Sequence, residues 1–276
     1  MGDSIRIVPA VRLNHVRRGR GESLVLIHPL GGELVVWEPV LDLLAAERDV
    51  IALDLPGFGA SPPLPGSGEL TPEILARAVA EFLDHLEIER AHLAGNSLGG
   101  WVALELAGLG RALSVTGLGT AGLWSRPLEP RRNTRRRVGR MLLPLVPRLA
   151  RSPRGRRLML GRHVARPEKV PPHAAARLAR AYLTAPSYGA ANSAMRAGMF
   201  SRFEQIQVPV TLAWGELDGV VSRPRRELPA AVRTVLLAGC GHIPTWDDPE
   251  QVARVLLEAG DPSLSAQRRP PSTSRR

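Results

Sequence analysis

The sequence predicts an α/β protein built on a mostly parallel, doubly wound sheet, with a helical segment inserted between two of its strands. Three observations predict it. Short, nearly unbroken apolar runs alternate with stretches of helical composition, as parallel strands covered on both faces require. The runs end in loops rich in turn formers, at the carboxyl ends of strands, where ligands gather in sheets of this kind. Between about Trp124 and Phe203 the strand signal stops, and nine prolines divide the chain into helical pieces.

Taken in order, Ile5 to Val8 and Val11 to Val16 read as two short antiparallel edge strands, followed by a turn over Arg17-Arg18-Gly19-Arg20-Gly21. Leu24 to Ile27 is the first buried strand and runs into His28-Pro29-Leu30-Gly31-Gly32. A helix is expected from Glu33 to Glu47, then a second buried strand over Val50 to Leu53 and the loop Asp54-Leu55-Pro56-Gly57-Phe58-Gly59-Ala60-Ser61. Thr71-Pro72-Glu73 carries an N-cap and a proline at the first helical position, so a helix starts there and reaches about Leu86. A third strand ends near Ala94, and Leu113 to Leu118 forms another. The sheet resumes at Val208 to Trp214 and at Arg233 to Leu237. Asp247-Asp248-Pro249-Glu250 then caps a last helix ending near Ala259. The organisation expected is a core of residues 1–123 and 204–260, a helical cap of residues 124–203, and a disordered tail of residues 261–276, rich in Pro, Ser and Arg.

The stretch with the most chemical content is Gly95-Asn96-Ser97-Leu98-Gly99-Gly100, placed between an apolar run and the helical Val102 to Ala107. A nucleophile on a sharp strand-to-helix turn needs small residues two positions before and after it, which Gly95 and Gly99 supply. A serine hydroxyl is a weak nucleophile, so it needs a base within hydrogen-bond reach and a third group that orients the base. In the chain order Ser, acid, His, the acid is Asp218, just beyond the strand ending at Trp214, with Glu216 as the competing choice. The base is His242, in the glycine-rich Gly239-Cys240-Gly241-His242 loop after the next strand. Negative charge developing on a substrate oxygen calls for preorganised donors. The N–H of Leu98, at a helix start, is one, and the N–H of Leu30, beside Gly31 and Gly32, is the other. Asp54 reads as a brace for neighbouring loops and His28 as a shaper of the Leu30 loop. Cys240 reads as a small buried residue, and His15, His85, His92, His163 and His173 as surface or core histidines. Trp101 and Trp246 either line an acyl pocket or pack in the core.

A chain of 276 residues, 44% of them hydrophobic, buries a sizeable core in one large domain. One cysteine excludes an internal disulfide and a cysteine-rich zinc site. No segment reads as a leader peptide or approaches the roughly 18 apolar residues of a membrane span, so a cytoplasmic protein is expected. The net charge of +11 is unevenly spread. Residues 125–170 hold 14 Arg and Lys169 against Glu129 and Glu168, or +13, which leaves 11 − 13 = −2 for the remainder. A nucleic-acid partner is therefore not expected. The apolar residues among these arginines either cover the site or make a basic amphipathic surface for anionic lipid. The prolines favour the first reading, because they prevent a long interfacial helix.

With these motifs in order, residues 5–260 resemble the α/β-hydrolase superfamily. His28-Pro29-Leu30-Gly31-Gly32 resembles its oxyanion loop, with Pro29 in place of the usual glycine, and Asp54 to Ser61 is similar to its D-x-x-G-x-G-x-S loop. Asn96 and Gly100 make the elbow similar to those of carboxylesterases and carbon–carbon bond hydrolases. Dehalogenases and epoxide hydrolases of the superfamily carry an aspartate where this chain has Ser97. The resemblance implies a serine hydrolase acting on a small-molecule ester, with neither metal nor organic cofactor. Carbon–carbon bond hydrolysis, acyl transfer, cofactor-free peroxidase chemistry, and a ligand receptor with a retained triad are the alternatives. Substrate and oligomeric state are not legible.

Overall fold

A computed structural model describes residues 12–66, 68–130, 134–225 and 227–259, with residue 135 described by its backbone only. The expected strand Ile5 to Val8 and the tail of residues 261–276 lie outside the described residues. Seven strands form one sheet: β1 (His15–Arg18), β2 (Ser23–Ile27), β3 (Asp49–Leu53), β4 (Ala91–Asn96), β5 (Ala112–Leu118), β6 (Val210–Gly215) and β7 (Val232–Leu237). Their order is β1-β3-β2-β4-β5-β6-β7; β1 alone runs antiparallel and the other neighbours pair in parallel. The chain thus winds outward in both directions from β2 and β4, and their carboxyl ends meet in the middle of the sheet.

Alternate residues of a strand point to opposite faces, so a strand buried on both sides must be apolar throughout. Val25, Ile27, Ile51 and Leu53 enter one apolar cluster; Leu24, Leu26, Val50 and Ala52 enter the other. Helices α2 (Pro72–His85) and α3 (Leu98–Gly108) cover the first face with Leu75, Val79, Val102 and Leu106, and α1 (Glu38–Ala45) and α9 (Pro249–Glu258) cover the second with Val40, Leu44, Val252 and Leu256. Burying a side chain of this size contributes about 1.5–3 kcal/mol. Helix starts follow the expected chemistry. The Thr71 hydroxyl accepts from the Ile74 amide, and the Asp248 carboxylate accepts from the Gln251 amide.

Between β5 and β6 the chain makes α4 (Thr134–Met141), α5 (Val146–Arg151), α6 (Pro153–Leu160), α7 (Pro172–Thr184) and α8 (Tyr188–Ala197). Each of Pro147, Pro153 and Pro172 sits in the first turn of its helix, where the missing N–H costs nothing. No helix among the described residues is long and apolar enough to cross a membrane.

Several sequence expectations need correction. The helix expected over Glu33 to Glu47 is a 3₁₀ turn, Leu34–Trp37, followed by the shorter α1, because Pro39 cannot donate to a preceding carbonyl and the α pattern starts afresh around it. Arg17 and Arg18 lie in β1, not in the turn after it. Arg17 forms a bidentate pair with Asp49, at 2.8 and 2.7 Å, and this pairing holds the Asp49 carboxyl below its usual range. Of the two aspartates expected to cap α9, only Asp248 does so.

Candidate active site

Ser97 joins β4 to α3 with φ of 55° and ψ of −113°, a backbone conformation that non-glycine residues rarely adopt. Such a position costs roughly 1–3 kcal/mol and persists only where its surroundings fix it. Here the Ser97 amide donates to the Leu118 carbonyl at 2.8 Å, and the Ser97 carbonyl accepts from Ala121 and Trp101. The flanking glycines permit the turn. A Cβ on Gly95 would strike the Gly99 backbone, and one on Gly99 would lie 2.1 Å from the Ile27 carbonyl oxygen at the end of β2.

His242 and Asp218 are brought together at the ends of β7 and β6. The His242 Nδ1 and Asp218 Oδ2 are 2.8 Å apart, and both side chains are buried. The other carboxylate oxygen accepts from the Val220 and Val221 amides at 2.8 and 3.0 Å. Burial alone would raise the Asp218 carboxyl; the bond and charge of His242 and the two amides outweigh it, so the group stays ionised below its ordinary range. Glu216 is exposed and accepts from the Gly239 amide instead. The pair is tied to the elbow by Asn96, whose Nδ2 donates to the His242 carbonyl at 2.9 Å and to the Leu118 carbonyl at 2.8 Å. Gly119, one residue past β5, has a positive φ, and a Cβ there would lie 2.9 Å from Asp218 Oδ2 and 3.1 Å from His242 Nδ1. Only glycine lets the carboxylate and imidazole settle beside this backbone.

Leu98 opens α3, so its amide is among those with no acceptor inside the helix. Leu30 stands in the loop after β2, which closes by a Gly32 amide to Pro29 carbonyl bond of 2.8 Å. His28 Nε2 accepts from the Leu55 amide at 2.9 Å, which places the ring proton on Nδ1, where it donates to the Pro29 carbonyl at 2.8 Å. Burial lowers its pKa, so His28 is a neutral brace with both nitrogens engaged. Asp54 braces similarly, accepting from Leu34, Asn14 and Ala60. Trp101 is 1% exposed, donates to Glu105 and packs edge-on to Trp124 in the core. Trp246 packs in the apolar cluster on the opposite face of the sheet.

Two residues near the site, Tyr182 and Tyr188, escaped the sequence reading, and two others, His163 and Asp247, have partners there that it did not foresee. Tyr182 and Tyr188 lean on Gly31 and on each other, ring centroids 5.2 Å apart. They are the chain's two tyrosines, six positions apart, a composition signal that could have been noticed. The His163 ring lies 6.3 Å from that of His242, and its carbonyl accepts from the Ile243 amide at 2.7 Å. Asp247 accepts from Gly241, Ala165 and Arg166 amides, at 2.8, 3.0 and 2.9 Å, and so fastens the helical segment to the His242 loop. Among the described residues no cluster of three His, Cys, Asp or Glu is placed to hold a metal ion.

Burial and the neighbouring His242 push the His163 pKa from 6.5 down to about 4. The unfolded chain therefore binds the His163 proton more readily, and stability rises with pH between about 4 and 6.5. Thermal unfolding across that range is expected to show this slope in the wild type and a shallower one in His163→Gln. Equal slopes would show that His163 is not held neutral.

Residues 24–255 match the model of the alpha/beta hydrolase family. A dihydrolipoyllysine-residue acetyltransferase component of an acetoin cleaving system from Pseudomonas putida is 49% identical over 105 residues, 37% of this chain and 28% of that protein. The chain spans between about a quarter and two fifths of the first three curated relatives it matches. The epoxide hydrolase EphH of Mycobacterium tuberculosis is 32% identical over 196 residues, covering 66% of this chain and 92% of that one. A thermophilic esterase from Thermogutta terrifontis superposes with a TM-score of 0.68 at 25% identity, over 89% of this chain and 92% of the esterase. The fold, the match along most of the length and these relatives agree: the chain belongs to the alpha/beta hydrolase family.

Proposed function

We propose that this hydrolase cleaves a carboxylic ester of a small molecule through an acyl-enzyme on Ser97. His242 Nε2 takes the Ser97 proton as Oγ attacks the acyl carbonyl; Asp218 keeps the other ring proton on Nδ1 and stabilises the imidazolium. The amides of Leu30 and Leu98 donate to the oxyanion, and each such donor is worth roughly 3–4 kcal/mol in the transition state. The alcohol leaves with the proton from His242, and water activated by the same ring releases the acid. None of these steps calls for a metal or an organic cofactor. Residues 1–123 and 204–260 act as the catalytic core and residues 124–203 as a cap. Tyr182 and Tyr188, against Gly31, border the acyl group, while Trp101 packs beneath.

The observation that carries this reading is the 2.8 Å Asp218–His242 bond, tied through Asn96 to a positive-φ elbow that bears a serine, not an aspartate. The serine favours ester over epoxide as substrate. A fluorophosphonate probe is expected to label the wild type on the peptide containing Ser97 and to leave Ser97→Ala unlabelled. Hydrolysis of p-nitrophenyl esters of increasing acyl length then measures the pocket's depth. Folded wild type that resists the probe and holds a small ligand without turnover would replace the esterase with a receptor.

A further inference from the structure

Ten large apolar side chains are exposed among the described residues, and five of them, Val138, Met141, Leu142, Leu145 and Leu158, fall within 21 consecutive positions of the cap. Scattered exposed apolar residues are ordinary on a protein surface, but a local concentration marks an interaction site. Val138, Met141, Leu142 and Leu145 follow the i, i+3, i+4, i+7 spacing of one helical stripe along α4 and the turn after it. The opposite side of α4 faces the protein: the Arg136 guanidinium stacks on Tyr188 and donates to the Tyr182 and Ala185 carbonyls, Gly139 abuts Leu183, and Arg140 Nε donates to the Leu183 carbonyl. The stripe therefore looks away from the site. Val146 and Leu160 are buried in apolar clusters, unlike the stripe.

What the stripe meets is argued from charge. Residues 125–170 carry +13 against −2 for the rest, and Arg137, Arg148, Arg151, Arg154, Arg157 and Arg162 are exposed in the same segment as the apolar side chains, Arg157 beside Glu168. A second copy of this face would bring like charges together. An apolar protein groove would use the leucines and leave the arginines without a counterpart. We propose that this face of the cap rests on an anionic lipid bilayer, with the apolar side chains entering the headgroup boundary and the arginines against phosphate. Each arginine near such a surface strengthens binding roughly fivefold, and apolar insertion adds to it. Because Pro144, Pro147 and Pro153 keep the helices short, the face lies along the interface and does not penetrate it.

Co-sedimentation of the full chain with vesicles tests this, using phosphatidylcholine alone against phosphatidylcholine containing about one-third phosphatidylglycerol. Two variants accompany it: Arg137→Gln with Arg148→Gln and Arg151→Gln, and Met141→Ser with Leu145→Ser and Leu158→Ser. All six side chains are exposed, so both variants keep the wild-type circular dichroism and thermal midpoint. Binding to the anionic vesicles only, weakened by added salt, about a hundredfold weaker in the arginine variant and at least tenfold weaker in the apolar one, supports the proposal. Binding that is absent, indifferent to phosphatidylglycerol, or unchanged in either variant overturns it. So does a concentration-dependent dimer, seen by sedimentation, that both variants abolish in place of vesicle binding.

Discussion

Asp218→Asn is expected to fold normally and to turn over esters about 10⁴-fold more slowly, the scale seen when a triad aspartate becomes an amide. The hydrogen-bond pattern dictates the loss. Oδ1 accepts from two backbone amides, so in the asparagine the oxygen must take that place and the NH₂ must face His242. An NH₂ donates, and Nδ1 opposite it must then accept. The ring proton moves to Nε2, the nitrogen that receives the Ser97 proton in the proposed mechanism. Removal of a charge that is stabilised in the folded state adds a second, smaller signature. The depressed Asp218 pKa supplies stability above the ordinary carboxylate range that disappears as pH falls through the folded value, and the variant lacks this component. Measured kcat with an unchanged circular dichroism spectrum checks the first claim. A fall below tenfold would remove Asp218 from the machinery and reopen the case for Glu216.

Gly99→Ala is expected to destabilise the protein by about 3 kcal/mol or more and to abolish turnover in whatever remains folded. The added methyl meets the Ile27 carbonyl oxygen at 2.1 Å and the His28 carbonyl oxygen at 2.7 Å. Both are backbone atoms between β2 and the Leu30 loop, so no rotamer relieves the clash. Either α3 lifts from the sheet or the loop bearing one proposed oxyanion donor is displaced. Gly108→Ala is the control: nothing lies within 4 Å of a Cβ at the other end of the same helix. Urea unfolding and ester turnover of the two variants should separate sharply; equal behaviour would mean that the elbow tolerates bulk.

Much of the core was legible because its rules are local. Continuous apolar runs marked β2 and β3, since a strand covered on both sides leaves no position for water. Thr71-Pro72 and Asp248-Pro249 marked helix starts, since a capping oxygen and a missing N–H suit only that place. The proposed triad was legible through its order along the chain and its glycines. Contacts between distant segments were not. Asp247 looked like the first of two capping carboxylates, and nothing nearby in sequence reveals that its partners are the amides of residues 165 and 166. Gly119 lies just past the expected strand, and nothing near it in sequence reveals that its reason for being glycine is a carboxylate about a hundred positions later. Arg136 belonged by composition to a basic run, yet two carbonyls and the Tyr188 ring on the far side of the segment draw it inward.

The Asp247 clasp bears on how the proposed base is held. Ser97 and His242 are 6% and 3% exposed, so neither stands open to solvent. Residues 165 and 166 share one carboxylate with the backbone of Gly241, the neighbour of His242. Under the proposed function, a single carboxylate therefore anchors both the loop of the general base and a piece of chain about eighty positions upstream.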